Sequence, residues 1–372
     1  MRLSRRYRPR ASSLLFVGVT AFLGIGAIQQ DPNLLPLVFG VAISVVIISG
    51  VVGGGMLMGV RPKRLGVAPA QVGVAYRVRY EVRSAARLLP SFALQIAEQR
   101  SPRRTPESER WERFFSMEDG AGRAFIAQIG PRERVRSIGR LTPIRRGVCV
   151  LRGVEVGSGF PFGLFYKLVI AHQPARLLVR PRVHTLRSGA MPVLMSRMGR
   201  EAQTDRKRRV GDEFFALREY MPGDSPRFVA WRTSARLGTL VVREHADRSS
   251  RRVRLVLLVA PEASHDDAER AIELFASLAS GLVRTDVALH VDIPQAGTRY
   301  DDARPAAIEQ VLDTLALFDA AQAPPASLPA SRDAVLIVRT DEAAGLPAPP
   351  AGALVYTSND LERLTVMQEA SA

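Results

Sequence analysis

Residues 217–244 read LREYMPGDSPRFVAWRTSARLGTLVVRE. Phe214 to Tyr220 has the look of a short strand, and Pro222-Gly223-Asp224 reads as a turn. Proline presets φ there, and glycine permits a positive φ. A short helical turn is expected around Trp231, and Leu240 to Arg243 reads as a returning strand. Trp231 is expected to anchor this cassette from inside. The guanidinium groups of Arg218, Arg236 and Arg243 can pair bidentately with Glu219, Asp224 or Glu244. With Tyr220, Gly223 and Ala235 these residues form the candidate site. Structural ion pairing is the stronger reading of the three acids, and acid–base work the weaker one.

Downstream the chain alternates strand and helix. Arg254 to Val259 is almost continuously apolar, as in a strand covered on both faces. Ser264-His265-Asp266-Asp267 offers an N-cap with an acid three residues on. Ala268, Ile272, Phe275, Ala279 and Leu282 then recur on one helical face. Val287 to Val291 is the next strand, Pro305 opens a second helix, and Val335 to Val338 and Leu354 to Tyr356 are further strands. This rhythm predicts a mostly parallel sheet over 211–372.

Upstream stand Arg146-Gly147 and Gly159-Phe160-Pro161-Phe162-Gly163-Leu164-Phe165. With the cassette, they resemble the signature of the bacterial membrane protein family known as domain of unknown function family 58. Phe160 takes a position where that family usually has Asp. Ala230 takes one where a polar residue usually precedes the Trp. The resemblance implies a von Willebrand factor A-like α/β domain, two hydrophobic segments ahead of it, and partnership with a MoxR-type AAA+ ATPase.

Residues 61–185 carry period-two strands with turn residues between them and no helical periodicity, which predicts an antiparallel β-sandwich. Val74, Tyr76, Val78, Tyr80 and Val82 alternate with Arg77, Arg79 and Glu81. Further strands are expected at 92–96, 124–129, 148–156 and 177–180. Phe160 to Phe165 is read as the hydrophobic seam, and Gln99 to Asp119 as a polar excursion. Residues 186–210, with Met191, Met195, Met198 and Arg206-Lys207-Arg208-Arg209, read as a basic linker.

Ahead of the sandwich, Ala11 to Ile28 and Leu34 to Met58 contain no charged residue. Both are long enough to cross a bilayer, and Gln29 to Asn33 makes a turn between them. The expectation is a transmembrane helical hairpin over 11–60. Arg2, Arg5, Arg6, Arg8 and Arg10 precede it and Arg61, Lys63 and Arg64 follow. The positive-inside rule then places residues 1–10, a basic tail, and everything after Arg61 in the cytoplasm, with the chain in the bacterial inner membrane.

The net charge of +16 comes almost wholly from arginine, since Lys63, Lys167 and Lys207 are the only lysines. No nucleic-acid motif accompanies it, so solvated surface, lipid and protein partners are the expectation. Cys149 is the sole cysteine and sits in an apolar strand, which reads as a buried structural thiol. No cofactor is expected. A von Willebrand A metal site needs Asp-x-Ser-x-Ser after its first strand; here stands Ala260-Pro261-Glu262-Ala263-Ser264. Ser264 and Asp341 remain as weak metal candidates. The reading is a membrane-anchored, non-enzymatic adapter in protein assembly or envelope maintenance. The alternatives are an enzyme for an acidic or phosphorylated substrate and a metal-dependent adhesion module.

Overall fold

A computed structural model describes residues 3–9, 11–29, 34–99, 114–115, 122–206, 213–221, 226, 229–246, 252–285, 287–328, 331, 333–341 and 344–366. The chain divides into two compact units, Met1–Pro181 and Arg182–Glu369.

The first unit begins with strand β1 (Leu3–Pro9) and two apolar helices, α1 (Ala11–Gln29) and α2 (Leu35–Met56). Gly24 leaves room for the Phe39 ring, and Gly26 for Leu35, so the two helices touch. Leu35–Gly53, 19 residues, is long and apolar enough to cross a membrane; Ser12–Ile28 is apolar but shorter. Strands β2 (Val60–Arg64), β3 (Ala70–Gln71), β4 (Tyr76–Ser84), β5 (Ser91–Glu98), β6 (Ala124–Ile129), β7 (Arg134–Leu141), β8 (Gly147–Ser158) and β9 (Phe165–Arg180) follow.

These strands make two sheets. One has the order β1-β9-β8-β5-β6 with β3 beside β9, and the other is β2-β4-β7. Val78, Tyr80 and Val82 from the smaller sheet share one core with Leu94, Ile96, Leu151 and Val156 from the larger. The alternation along β4 produces this directly, because every second side chain turns inward. Phe115 is buried in the same core and Phe114 packs against it; apart from these two and Gln99, the expected polar excursion lies outside the described residues.

A salt bridge crosses this core. Arg64 donates to Glu98 through Nε (2.8 Å) and Nη2 (2.5 Å), and both side chains are buried. The Tyr80 hydroxyl donates to Glu98 (3.2 Å), and Arg64 Nη1 donates to the Gln173 carbonyl (3.0 Å). Burial, then the neighbouring Glu98, pushes the Tyr80 phenol well above its ordinary range. Arg64, expected as a membrane-flanking cation, is thus internal. Cys149 is buried in this unit as well, and burial pushes its thiol up to about 12.

Residues 3–9, expected as part of a basic tail, form an edge strand. β1 runs antiparallel to β9 from Leu3↔Ala171 to Pro9↔Phe165. Its exposed Arg5, Arg6 and Tyr7 hide the strand from any search for apolar alternation. The backbone ladder, rather than buried side chains, holds it.

The second unit contains β10 (Thr185–Leu186), α3 (Ala190–Arg206), β11 (Glu213–Glu219), α4 (Trp231–Leu237), β12 (Val241–Ala246), β13 (Arg252–Leu258), α5 (His265–Leu282), β14 (Ala288–Ile293), β15 (Thr298–Tyr300), α6 (Pro305–Leu317), β16 (Ala334–Arg339), β17 (Leu354–Thr357), α7 (Asp360–Leu364) and β18 (Thr365–Val366). The main sheet has the order β15-β14-β13-β16-β17. All its pairings are parallel except that of the edge strand β15.

Helix α3 replaces most of the expected linker. Met191, Leu194, Met195 and Met198 recur at helical spacing and join the core formed with α5 and α6. Lys207 to Arg209 lie outside the described residues. Strand β10 pairs with β18, so the second unit also takes in residues assigned from sequence to the sandwich.

Both faces of β13 are buried, as its composition implies. Val253, Leu255 and Leu257 meet the helices. Val256 and Leu258 instead join Val335 and Ile337 under the non-helical residues Leu328, Leu346 and Ala353. On that second face Arg254 donates to Asp292 in a buried pair.

Candidate functional site

The cassette folds as a small frame. β11 and β12 pair antiparallel with Leu217↔Arg243, Arg218↔Val242 and Glu219↔Val241, and with an irregularity between Phe214 and Ala216. The Tyr220 N–H donates to the Leu240 carbonyl (2.9 Å), and the Ala230 N–H to the Val241 carbonyl (2.8 Å). Helix α4 opens at Ala230 and stops at Gly238, whose φ of 71° suits a residue without Cβ. The Val241 N–H donates to Ser234 Oγ (2.9 Å), tying the helix to the returning strand.

Ala230, Ser234, Val241 and Val242 form the buried inside of this frame. Ala230 is 1% exposed, so the residue before the tryptophan is a packing residue here. Trp231 was expected inside and is not: it is 64% exposed. Trp231 is the first residue of a seven-residue helix whose one buried residue is Ser234. Arg232, Ala235 and Arg236 are exposed on the same helix, with Leu237 at its end and Met221 and Leu240 on the adjoining segments.

Glu219 is exposed and Tyr220 half-buried. Gly223 and Asp224 lie outside the described residues, as do the side chains of Arg218, Arg243 and Glu244. The register sets Arg218 opposite Val242 and Arg243 opposite Leu217. The exposed tryptophan was the feature sequence reading missed. Ser234, three positions on, takes the inside instead and binds the Val241 backbone twice: it accepts from the Val241 N–H and donates toward the Val241 carbonyl (3.4 Å).

The carboxyl end of the parallel sheet is the second place where polar groups converge. Ser264 caps α5 by accepting from the Asp267 N–H (3.2 Å). The Asp267 carboxylate accepts from the Asp341 N–H (3.1 Å) and from the Ser358 hydroxyl. The Ala260 N–H donates to Thr340 Oγ1 (3.0 Å). Gln295 accepts from the Val259 N–H (2.8 Å) and donates to the Val259 carbonyl (2.9 Å). These oxygens close the sheet end by bridging strand ends to α5. A hard divalent ion takes six or more oxygen ligands, and Mg²⁺ keeps several waters beside one or two carboxylates. Among the described residues no group of three or more His, Cys, Asp or Glu is placed to hold a metal. Ser264 Oγ and the Asp341 N–H are thus parts of a hydrogen-bonded clasp at the sheet end.

The chain thus combines an apolar N-terminal helix with two units of distinct build. Residues 216–286, from β11 through α5, match the family model described as "Protein of unknown function DUF58", which supports the family that the cassette resembles. No curated protein matches the chain.

Proposed function

We propose that this protein is a membrane-anchored, non-enzymatic adapter that recruits a protein partner through the exposed face of α4. The observation that carries this reading is Trp231: a large aromatic side chain, mostly exposed, standing beside Arg232 and Arg236 on a frame pinned by Ser234. Tryptophan and arginine are the residue types that dominate binding energy at protein interfaces. The resemblance noted from the sequence makes a MoxR-type AAA+ ATPase the partner, with a role in protein assembly or envelope maintenance. In this reading the α/β unit is a von Willebrand A-like presenter whose metal end has become a clasp.

The anchor in this proposal is a two-span hairpin of α1 and α2 in the bacterial inner membrane. Its support is topological. β1 precedes α1, β2 follows α2, and both strands belong to the same β unit, so both helix ends return to one side. The arginines on those ends assign that side to the cytoplasm.

The test is co-purification from solubilised bacterial membranes with the full chain and with Trp231→Ala/Arg236→Ala. The wild-type chain captures the ATPase and the double variant loses at least tenfold, about 1.4 kcal/mol or more of binding free energy. Equal capture by both would refute the α4 site. Turnover of an acidic or phosphorylated substrate by the purified chain without a partner would replace the adapter with an enzyme.

A further inference from the structure

The end of α2 is gripped by the β unit, and the grip carries apolar residues that face outward. The Ser91 hydroxyl donates to the Met56 carbonyl (2.6 Å), the Lys167 ammonium to the Gly50 carbonyl (2.5 Å) and Arg5 to the Met58 carbonyl (3.0 Å). The Ser13 hydroxyl, at the start of α1, donates to the Leu164 carbonyl. Two loops collar the last turns of α2. A Cβ on Gly53 would sit 2.9 Å from the Phe160 carbonyl oxygen, and one on Gly55 would touch Leu89 at 3.8 Å. The Phe92 and Phe160 rings, 5.0 Å apart, join the loops' bases.

The tips of these loops are not packed. Leu88 is 87% exposed, Leu89 52% and Phe162 52%. Soluble surfaces rarely leave such side chains together around one element. Their depth identifies what covers them. The apolar span ends at Gly53, and the loops contact α2 at Gly53 and Gly55, within about 3 Å of helix rise from that end. That level is the boundary between acyl chains and headgroups, where aromatic and aliphatic side chains seat with cations beside them. Arg87 adjoins Leu88 and is exposed, and Tyr7 lies outward with the Lys167 ammonium 5.7 Å from its ring centroid. Burial lowers the lysine's pKa, in keeping with a cation drawn out of water.

We propose that the Leu88-Leu89 and Phe162 loops insert into the cytoplasm-facing headgroup–acyl boundary of the bilayer, next to the exit of α2. The proposal rests on the anchor reading above and adds to it. The β unit is then held to the membrane surface at a fixed height and angle, instead of swinging on a tether. Anionic phospholipid is the favoured contact for Arg87.

The test uses the full chain in nanodiscs of phosphatidylethanolamine and phosphatidylglycerol. An environment-sensitive fluorophore is placed at Phe162→Cys, Leu88→Cys, Ile47→Cys or Val150→Cys, and quenched by lipids bearing nitroxides at headgroup or mid-chain depth. The native Cys149 thiol is buried and stays unlabelled. Val150 is exposed and pairs with Arg176, nine residues along β9 from Lys167, so it lies roughly 30 Å from the collar along the strand.

The expected result is several-fold stronger headgroup-depth quenching at 162 and 88 than at 150, with mid-chain quenching at 47. Quenching at 162 and 88 no greater than at 150, while 47 is quenched, overturns the collar and leaves the anchor standing. Blue-shifted emission at 162 without lipid quenching, growing with protein concentration, puts a second copy on the loops and also overturns it. Absence of quenching at 47 removes the anchor itself, and the collar with it.

Discussion

The core of the β unit and the cassette of the α/β unit use the same residue types to opposite ends. In the core, Arg64, Glu98 and Tyr80 meet within hydrogen-bond reach and exclude water. In the cassette, Glu219, Trp231 and Arg236 lie on the surface of a frame whose buried residues are small or β-branched. An arginine and an acid near an aromatic residue therefore carry no meaning until burial is known. Sealed, they hold a fold together, since losing one partner strands a charge. Exposed, such groups contribute little to stability and stand at the solvent boundary.

The sharpest way to break this contrast is Glu98→Ala. Stranding the buried Arg64 guanidinium is expected to destabilise the β unit by about 3–5 kcal/mol. Denaturant titration of the detergent-solubilised chain reads the loss. Hydrogen exchange places it in β4, β5 and β8 with the α/β sheet unaffected. Retention of full protection in those strands would show that the pair is dispensable.

A smaller effect is expected at the sheet end. Asp267→Ala removes the acceptor for the Asp341 N–H and the Ser358 hydroxyl and should cost about 1–3 kcal/mol. Faster exchange at the Asp341 amide is its signature, and added Mg²⁺ should protect neither the variant nor the wild type. In the cassette, Trp231→Ala should change the unfolding free energy by no more than about 0.5 kcal/mol, the range of an exposed position, while weakening partner capture. A large loss of stability there would mean the indole packs somewhere it is not seen to pack, and the recruiting role would fall.

A last prediction, silent at neutral pH, concerns the alkaline range. The Cys149 thiol is raised from 9.0 to about 12 in the folded chain. The folded state therefore binds a proton that the unfolded state releases first. Stability from this group is complete below pH 9 and declines as pH rises toward 12. Cys149→Val should flatten that part of the alkaline unfolding curve, and wild-type Cys149 should resist thiol reagents at pH 8 until denaturant is added.

Most element types were legible from periodicity alone. The two-residue alternation of β4, the apolar run of β13 and the helical stripe of α5 each encode a face locally. α3 was misread as a linker: Met191, Leu194, Met195 and Met198 have helical spacing, but the basic run behind them hid it. β1 was not legible, because a strand held by its backbone ladder leaves no pattern in its side chains. Ser264 as helix cap followed from sequence, whereas the partners of Asp267 are 74 and 91 residues away.

Composition and spacing by themselves determined the order of the parts: apolar helices, alternating strands, then strands and helices in turn. They could do so because hydrophobic period is a short-range property of the chain. Only the tertiary structure decided that Arg64 faces Glu98 and not lipid, that the arginine-rich N-terminus closes a sheet edge, and that Trp231 turns outward. Each of those outcomes depends on which distant backbone or side chain arrives alongside, and solvent exposure is set by that arrival.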